Sequence, residues 1–136
     1  MVLRTRRAAV ILSLTIALSA CATTASLRSG QRAEQQQDYD RAVAEYTAAL
    51  KKHPNDRTIQ LSLERVRLRA AQDHFARARR LDAASKLDEA LVEYQLAAEL
   101  NPGSADIDES LRNVRAQLRT RVLVAREGKT QLETLI

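Results

Sequence analysis

Asp38-Tyr39-Asp40-Arg41-Ala42-Val43-Ala44-Glu45-Tyr46-Thr47-Ala48-Ala49-Leu50-Lys51-Lys52-His53-Pro54 returns 48 residues later as Lys86-Leu87-Asp88-Glu89-Ala90-Leu91-Val92-Glu93-Tyr94-Gln95-Leu96-Ala97-Ala98-Glu99-Leu100-Asn101-Pro102. Six of the 17 pairs are identical: Asp40/Asp88, Ala42/Ala90, Glu45/Glu93, Tyr46/Tyr94, Ala49/Ala97 and Pro54/Pro102. The same offset continues through Ile59/Ile107, Leu63/Leu111, Val66/Val114 and Arg67/Arg115. Self-similarity at a fixed spacing marks a repeat architecture, in which one supersecondary unit is stacked on the next.

The flanking composition sets the class as all-α. The 136 residues include only three glycines and two prolines, and the segments between them are rich in Ala, Leu, Arg, Glu and Gln, all strong helix formers. No stretch alternates apolar and polar residues as a strand would. The spacing predicts a helical hairpin over about 23–36 and 40–52, a long helix over about 56–83, and helices over about 87–100 and 105–127. Asn55 and Asp56, just after Pro54, are natural N-caps for the long helix.

That long helix carries two apolar stripes. Ile59, Leu63, Val66, Ala70, His74 and Leu81 recur at helical spacing along one face. Leu61, Arg65, Leu68, Gln72, Phe75 and Arg79 form a second stripe nearly opposite, since two residues advance a helix by about 200°. A helix apolar on two sides either packs on both or presents one to a partner, so the second stripe is the candidate partner-binding surface. Packing of that stripe on neighbouring helices is the competing reading.

The repeated segments resemble the second helix of a tetratricopeptide repeat (TPR). In that family small residues stand where helices cross closely, an aromatic fills the gap between them and a proline ends the helix. Ala42, Tyr46 and Ala49 match those places in the first copy, and Ala90, Tyr94 and Ala97 in the second; these are the expected repeat core. Gly30 and Ala78 match the small crossing residue of the first helix. The bulky residue four positions earlier is replaced by Ser26 and His74, and the turn glycine by Gln37 and Ser85. The family period is 34 residues, so the 48-residue spacing inserts 14, or about four helical turns. The resemblance covers roughly residues 26–117. It implies TPR-like antiparallel hairpins sharing one long central helix, with protein binding as the general role and a ligand groove lined by the first helix of each hairpin.

The N-terminus points to a membrane. Arg4, Arg6 and Arg7 precede an apolar run from Ala8 to Ala20, which reads as an export signal and is short for a membrane span. The run ends in Leu18-Ser19-Ala20-Cys21, which resembles a bacterial lipobox. That resemblance implies cleavage before Cys21 and lipidation of its thiol and freed amine, and two or more acyl chains hold a protein firmly to a bilayer. Ala22, rather than aspartate, implies the periplasmic face of an outer membrane, or the outer face of the cell membrane in a single-membrane organism. The expected organisation is a signal peptide (1–20), lipidated Cys21 with a short tether (21–25), a helical-repeat domain (26–127) and a tail (128–136).

Removing the signal also lowers the charge. The chain holds 22 Lys+Arg against 17 Asp+Glu, and the part after residue 20 holds 19 against 17. A balance this near neutral, with no basic run interleaved with aromatics, argues against nucleic acid as a partner. Cys21 is the one cysteine, so no disulfide or Cys-based metal site is expected. His53 and His74 lie 21 residues apart without ligand-spaced partners, and Asp73/Arg77 reads as a surface pair. No catalytic residue, metal or cofactor is expected, and the chain reads as a non-enzyme.

Gly128 reads as the stop of the last helix, and Thr130-Gln131-Leu132-Glu133 as a capping box announcing another. The lipobox, helical repeat and Arg-rich long helix together resemble the N-terminal region of some outer-membrane secretins. Two functions stay open: a lipid-anchored adaptor that binds a protein, such as a secretin or another component of a secretion or pilus machine, and the tethering domain of a larger secretin-like protein. A small-molecule or peptidoglycan-binding module is a more distant third.

Overall fold

A computed structural model describes residue 25 and residues 27–133, with side chains through Ala125. The expected signal peptide (1–20), Cys21 and most of the expected tether lie outside the described residues. The described chain is all-α. Helix α1 covers residues 27–35. It is followed by α2 (Tyr39–Lys52), α3 (Arg57–Ala83), α4 (Leu87–Leu100) and α5 (Ala105–Glu133). The bounds of α2, α3 and α4 and the start of α5 fall within one residue of the periodicity, and the expected start of α1 near residue 23 lies outside the described residues. The end of α5 differs: it runs through Gly128 to Glu133, where the sequence predicts a stop and a restart. A glycine inside a helix costs only about 1 kcal/mol, less than the hydrogen bonds kept by continuing.

The chain divides between Arg67 and Leu68, inside α3, into two compact units. The break falls within one continuous helix, so α3 contributes residues to both units. In the first, Ala33 of α1, Ala42, Tyr46 and Ala49 of α2, and Ile59, Leu63 and Val66 of α3 form one buried cluster. In the second, Ala78 of α3, Leu87, Ala90 and Tyr94 of α4, and Leu111 and Val114 of α5 do the same. Ala97 is buried as well. Each core thus takes residues from three successive helices, and Ala42/Ala90, Tyr46/Tyr94, Leu63/Leu111 and Val66/Val114 are pairs from the 48-residue register.

Small residues set how near the helices come. A Cβ added at Gly30 would lie 2.5–2.8 Å from three ring carbons of Tyr46. The ring therefore rests on bare backbone, and no other residue fits there without movement. At the corresponding place the second unit holds Ala78, fully buried.

Both short helical turns are built alike. After α1, Asp38 N–H donates to the Ala33 carbonyl and Gln37 N–H to that of Glu34; after α3, Lys86 N–H donates to Leu81 and Ser85 N–H to Asp82. This pair of bonds is the Schellman stop, which places its C′ residue in the left-handed region. Gln37 and Ser85 occupy it at φ 59° and 58°. The left-handed conformation costs a residue with a Cβ roughly 1–2 kcal/mol, whereas glycine pays none but loses more chain entropy on folding. Gln37→Gly and Ser85→Gly should each raise stability by about 0.5–1 kcal/mol in urea titrations. An unchanged or lowered midpoint would show that these side chains contribute contacts that outweigh the strain.

Entry into α2 and α3 is also local. Asp38 Oδ1 accepts from Arg41 N–H at 3.2 Å, capping α2. Asp56 Oδ1 accepts from the N–H groups of Thr58 at 2.9 Å and Ile59 at 3.2 Å, capping α3. Among the described residues no helix is long and apolar enough to cross a membrane.

Candidate binding surfaces

The two stripes of α3 have different fates. Ile59, Leu63, Val66, Ala70 and His74 are buried, and Leu81 is half-buried. Of the second stripe, Leu61 and Arg65 fall in the first unit, where Leu61 is 63% exposed. Arg65 Nη2 donates to Glu34 Oε1 at 2.8 Å, tying α3 to α1. That hydrogen bond is also the main reason the guanidinium holds its proton more tightly than usual.

In the second unit Leu68, Gln72 and Arg79 are exposed. Phe75 is not. Its ring packs against the core and meets Tyr94 at 5.8 Å between centroids, tilted by 55°. A stripe residue chosen as a partner anchor is therefore also a core residue. Arg79 lines a shallow cavity of about 420 Å3 with Asp82, Ala83, Tyr94 and Ser110. Tyr94 Oη donates to Asp82 Oδ2 at 3.4 Å, and burial followed by the Asp82 carboxylate raises its pKa.

Tyr46 has the corresponding place in the first unit and no solvent exposure. Burial first, then the neighbouring Glu34 carboxylate, pushes its pKa up to about 12 from an ordinary value of 10. Below pH 10 both folded and unfolded chains keep the phenolic proton. Between pH 10 and 12 the unfolded chain loses it first, so stability falls as pH rises, by up to roughly 2–3 kcal/mol from this group. Denaturant titrations from pH 9 to 12 should show a steeper loss for the wild type than for Tyr46→Phe. Parallel curves would remove the effect.

One polar cluster is not foreseen by the sequence. His74, 4% exposed, has Nδ1 2.7 Å from Glu93 Oε2, across from α3 to α4. Arg77 Nη2 lies 3.2 Å from His74 Nδ1, and Arg77 also pairs with Asp73 at 3.1 Å and Glu93 at 3.6 Å. The signal was present in fragments: Asp73/Arg77 at i,i+4 is visible, whereas the His74–Glu93 meeting depends on how two helices rotate against each other. The close contacts among these four side chains tie α4 to α3. Among the described residues no group of three or more His, Cys, Asp or Glu is placed to hold a metal ion.

A further surface lies along α4 and α5. Two adjoining cavities of about 460 and 400 Å3 share Leu118 and Arg119. Leu91, Arg112 and Arg115 line the first, and Asp88, Val122 and Leu123 the second. Arg121 Nη2 donates to the Ser85 carbonyl at 3.2 Å, while Val122, Leu123 and Val124 just beyond are exposed.

No protein-family model and no curated protein sequence matches this chain.

Proposed function

We propose that this chain is a lipid-anchored, periplasm-facing adaptor with TPR-like repeats. It binds a protein partner and holds it at the outer membrane, a component of a secretion or pilus machine being the best-fitting class. The observation that carries the reading is the duplicated three-helix unit with uncovered apolar side chains on its helices, Leu61 and Leu68 among them. Duplicated helical units of this kind offer extended surfaces to protein segments rather than enclosed sites for chemistry. The lipobox resemblance at Leu18–Cys21 supplies the anchor, and the near-neutral charge after residue 20 suits a protein partner better than nucleic acid.

The test has two arms. Cys21→Ser replaces the thiol acceptor by a hydroxyl, so metabolic labelling with a fatty acid should mark the wild type and leave the variant as an unlabelled precursor. Label persisting in the variant would sink the lipoprotein reading. In the second arm, the chain is used to capture proteins from detergent-solubilised envelopes, in parallel with Leu61→Ser/Leu68→Ser. Both leucines are exposed, so the helical circular dichroism should survive while recovery of a specific partner falls. Equal recovery with both baits would remove this face of α3 from the site.

A further inference from the structure

The 48-residue register makes each repeat a template for the other. His74 and Phe75 of α3 correspond to Val122 and Leu123 of α5. In α3 these positions are covered by helix α4: Glu93 reaches His74, and Tyr94 meets the Phe75 ring. In α5 the corresponding Val122 and Leu123 stand 57% and 59% exposed, at the edge of the groove that Leu91 and Leu118 continue. Among the described residues one such face therefore has its covering helix in place, and a second face of the same register has none.

Charge specifies the missing cover further. Arg112, Arg115 and Arg119, at i, i+3 and i+7, line the groove on one side of α5. Among the described residues none of the three side chains has an ion pair or hydrogen bond. The helix that covers the α3 face, α4, carries Asp88, Glu89, Glu93 and Glu99 and no basic residue. A second copy of the chain seated by two-fold symmetry on this face would bring the arginine row against itself, which like-charge repulsion opposes.

We infer that the α4–α5 groove of the second unit binds an acidic amphipathic helix from a partner protein, seated on α5 much as α4 sits on α3. Its apolar face covers Leu91, Leu118, Val122 and Leu123. Its carboxylates pair with Arg112, Arg115 and Arg119, fixing direction and register, in the helix-in-groove mode of recognition. The inference deepens the adaptor reading and rests on it for the existence of a partner.

The probe is a fluorescein-labelled synthetic peptide copying residues 87–100, with a second peptide in which each Asp and Glu becomes Asn and Gln. Anisotropy is measured against the full chain in detergent at low salt. The acidic peptide should bind saturably, weaken as salt is raised, and bind about tenfold or more weakly to Arg115→Ala/Arg119→Ala, whose exposed side chains leave the thermal melt unchanged. Val122→Ser/Leu123→Ser should weaken both peptides.

No saturable binding, equal binding of the two peptides, or equal affinity of the arginine variant would each overturn the inference. So would binding to phosphatidylglycerol vesicles without binding to peptide, which would make the face a lipid surface. A dimer dissolved by the arginine or leucine changes would assign it to a second copy instead. Capture of an envelope protein does not depend on the peptide, so the adaptor reading and the groove can fail separately.

Discussion

Ala90→Arg is expected to unfold the second unit or lower its stability by at least about 3 kcal/mol. Ala90 has no exposure and sits on α4 inside the cluster formed with Ala78, Leu87, Tyr94, Leu111 and Val114. The six heavy atoms that arginine adds to alanine have no room there, and overpacking alone costs about 1–3 kcal/mol. The guanidinium must also leave water without a carboxylate waiting for it, or force α4 away from α5 to reach solvent. For a unit of this size, 3 kcal/mol corresponds to a melting shift of roughly 12 °C or more. Gln95→Arg on the exposed side of the same helix adds the same residue without the burial, and should melt with the wild type. If Ala90→Arg also melts with the wild type, the packing of α4 described above is wrong.

The second large effect comes from a single methyl group. Gly30→Ala places a Cβ at 2.5, 2.7 and 2.8 Å from Cε1, Cζ and Cδ1 of Tyr46, a ring with no exposure and core neighbours around it. Alanine is the better helix former by about 1 kcal/mol, so a gain in helix propensity works against the clash. The clash should win, because the Tyr46 ring is fully buried and shifting α1 outward would open its packing on the first core; a net loss of about 1–3 kcal/mol is expected. A double-mutant cycle identifies the cause. With Tyr46→Leu as background, the cost of Gly30→Ala should shrink or reverse, giving a coupling well above the few tenths expected of independent sites. Additive effects would place the cost elsewhere than at the ring.

Local features of the chain were legible because they are set by local chemistry. Pro54 and Pro102 end helices by removing an amide donor, Asp56 caps the helix after Pro54, and the alanine–tyrosine spacing marks the buried side of α2 and α4. Gln37 and Ser85 were recognisable as residues standing at turn positions that favour glycine, and both adopt the left-handed backbone. Gly128 misled for a physical reason: its stop signal is worth about 1 kcal/mol and yields to the continuity of a 29-residue helix.

Contacts between helices were less legible. Phe75 lies on the same stripe as Leu68 and Gln72, yet its ring turns to Tyr94 while they stay in solvent. Glu93 reads as the acid of a repeat position, and nothing in a linear reading brings it to His74. Leu118 and Val122 look like ordinary core positions at i,i+4 spacing. Periodicity names the face that wants a neighbour, and only the packed chain shows whether a neighbour has arrived.

The cores contain one buried tyrosine each, Tyr46 in the first unit and Tyr94 in the second, and the chain has no tryptophan. Each unit therefore carries its own built-in ultraviolet reporter, with no indole to drain its excitation. Tyr39, half-buried, is the single other tyrosine and belongs to the first unit. Replacing Tyr39 and Tyr46 by phenylalanine leaves emission from the second unit alone, and replacing Tyr94 leaves emission from the first. The cooperativity passing along the shared helix α3 thus becomes directly measurable: two emission curves that melt together report a helix that transmits unfolding, and two that separate report one that can fray at the junction.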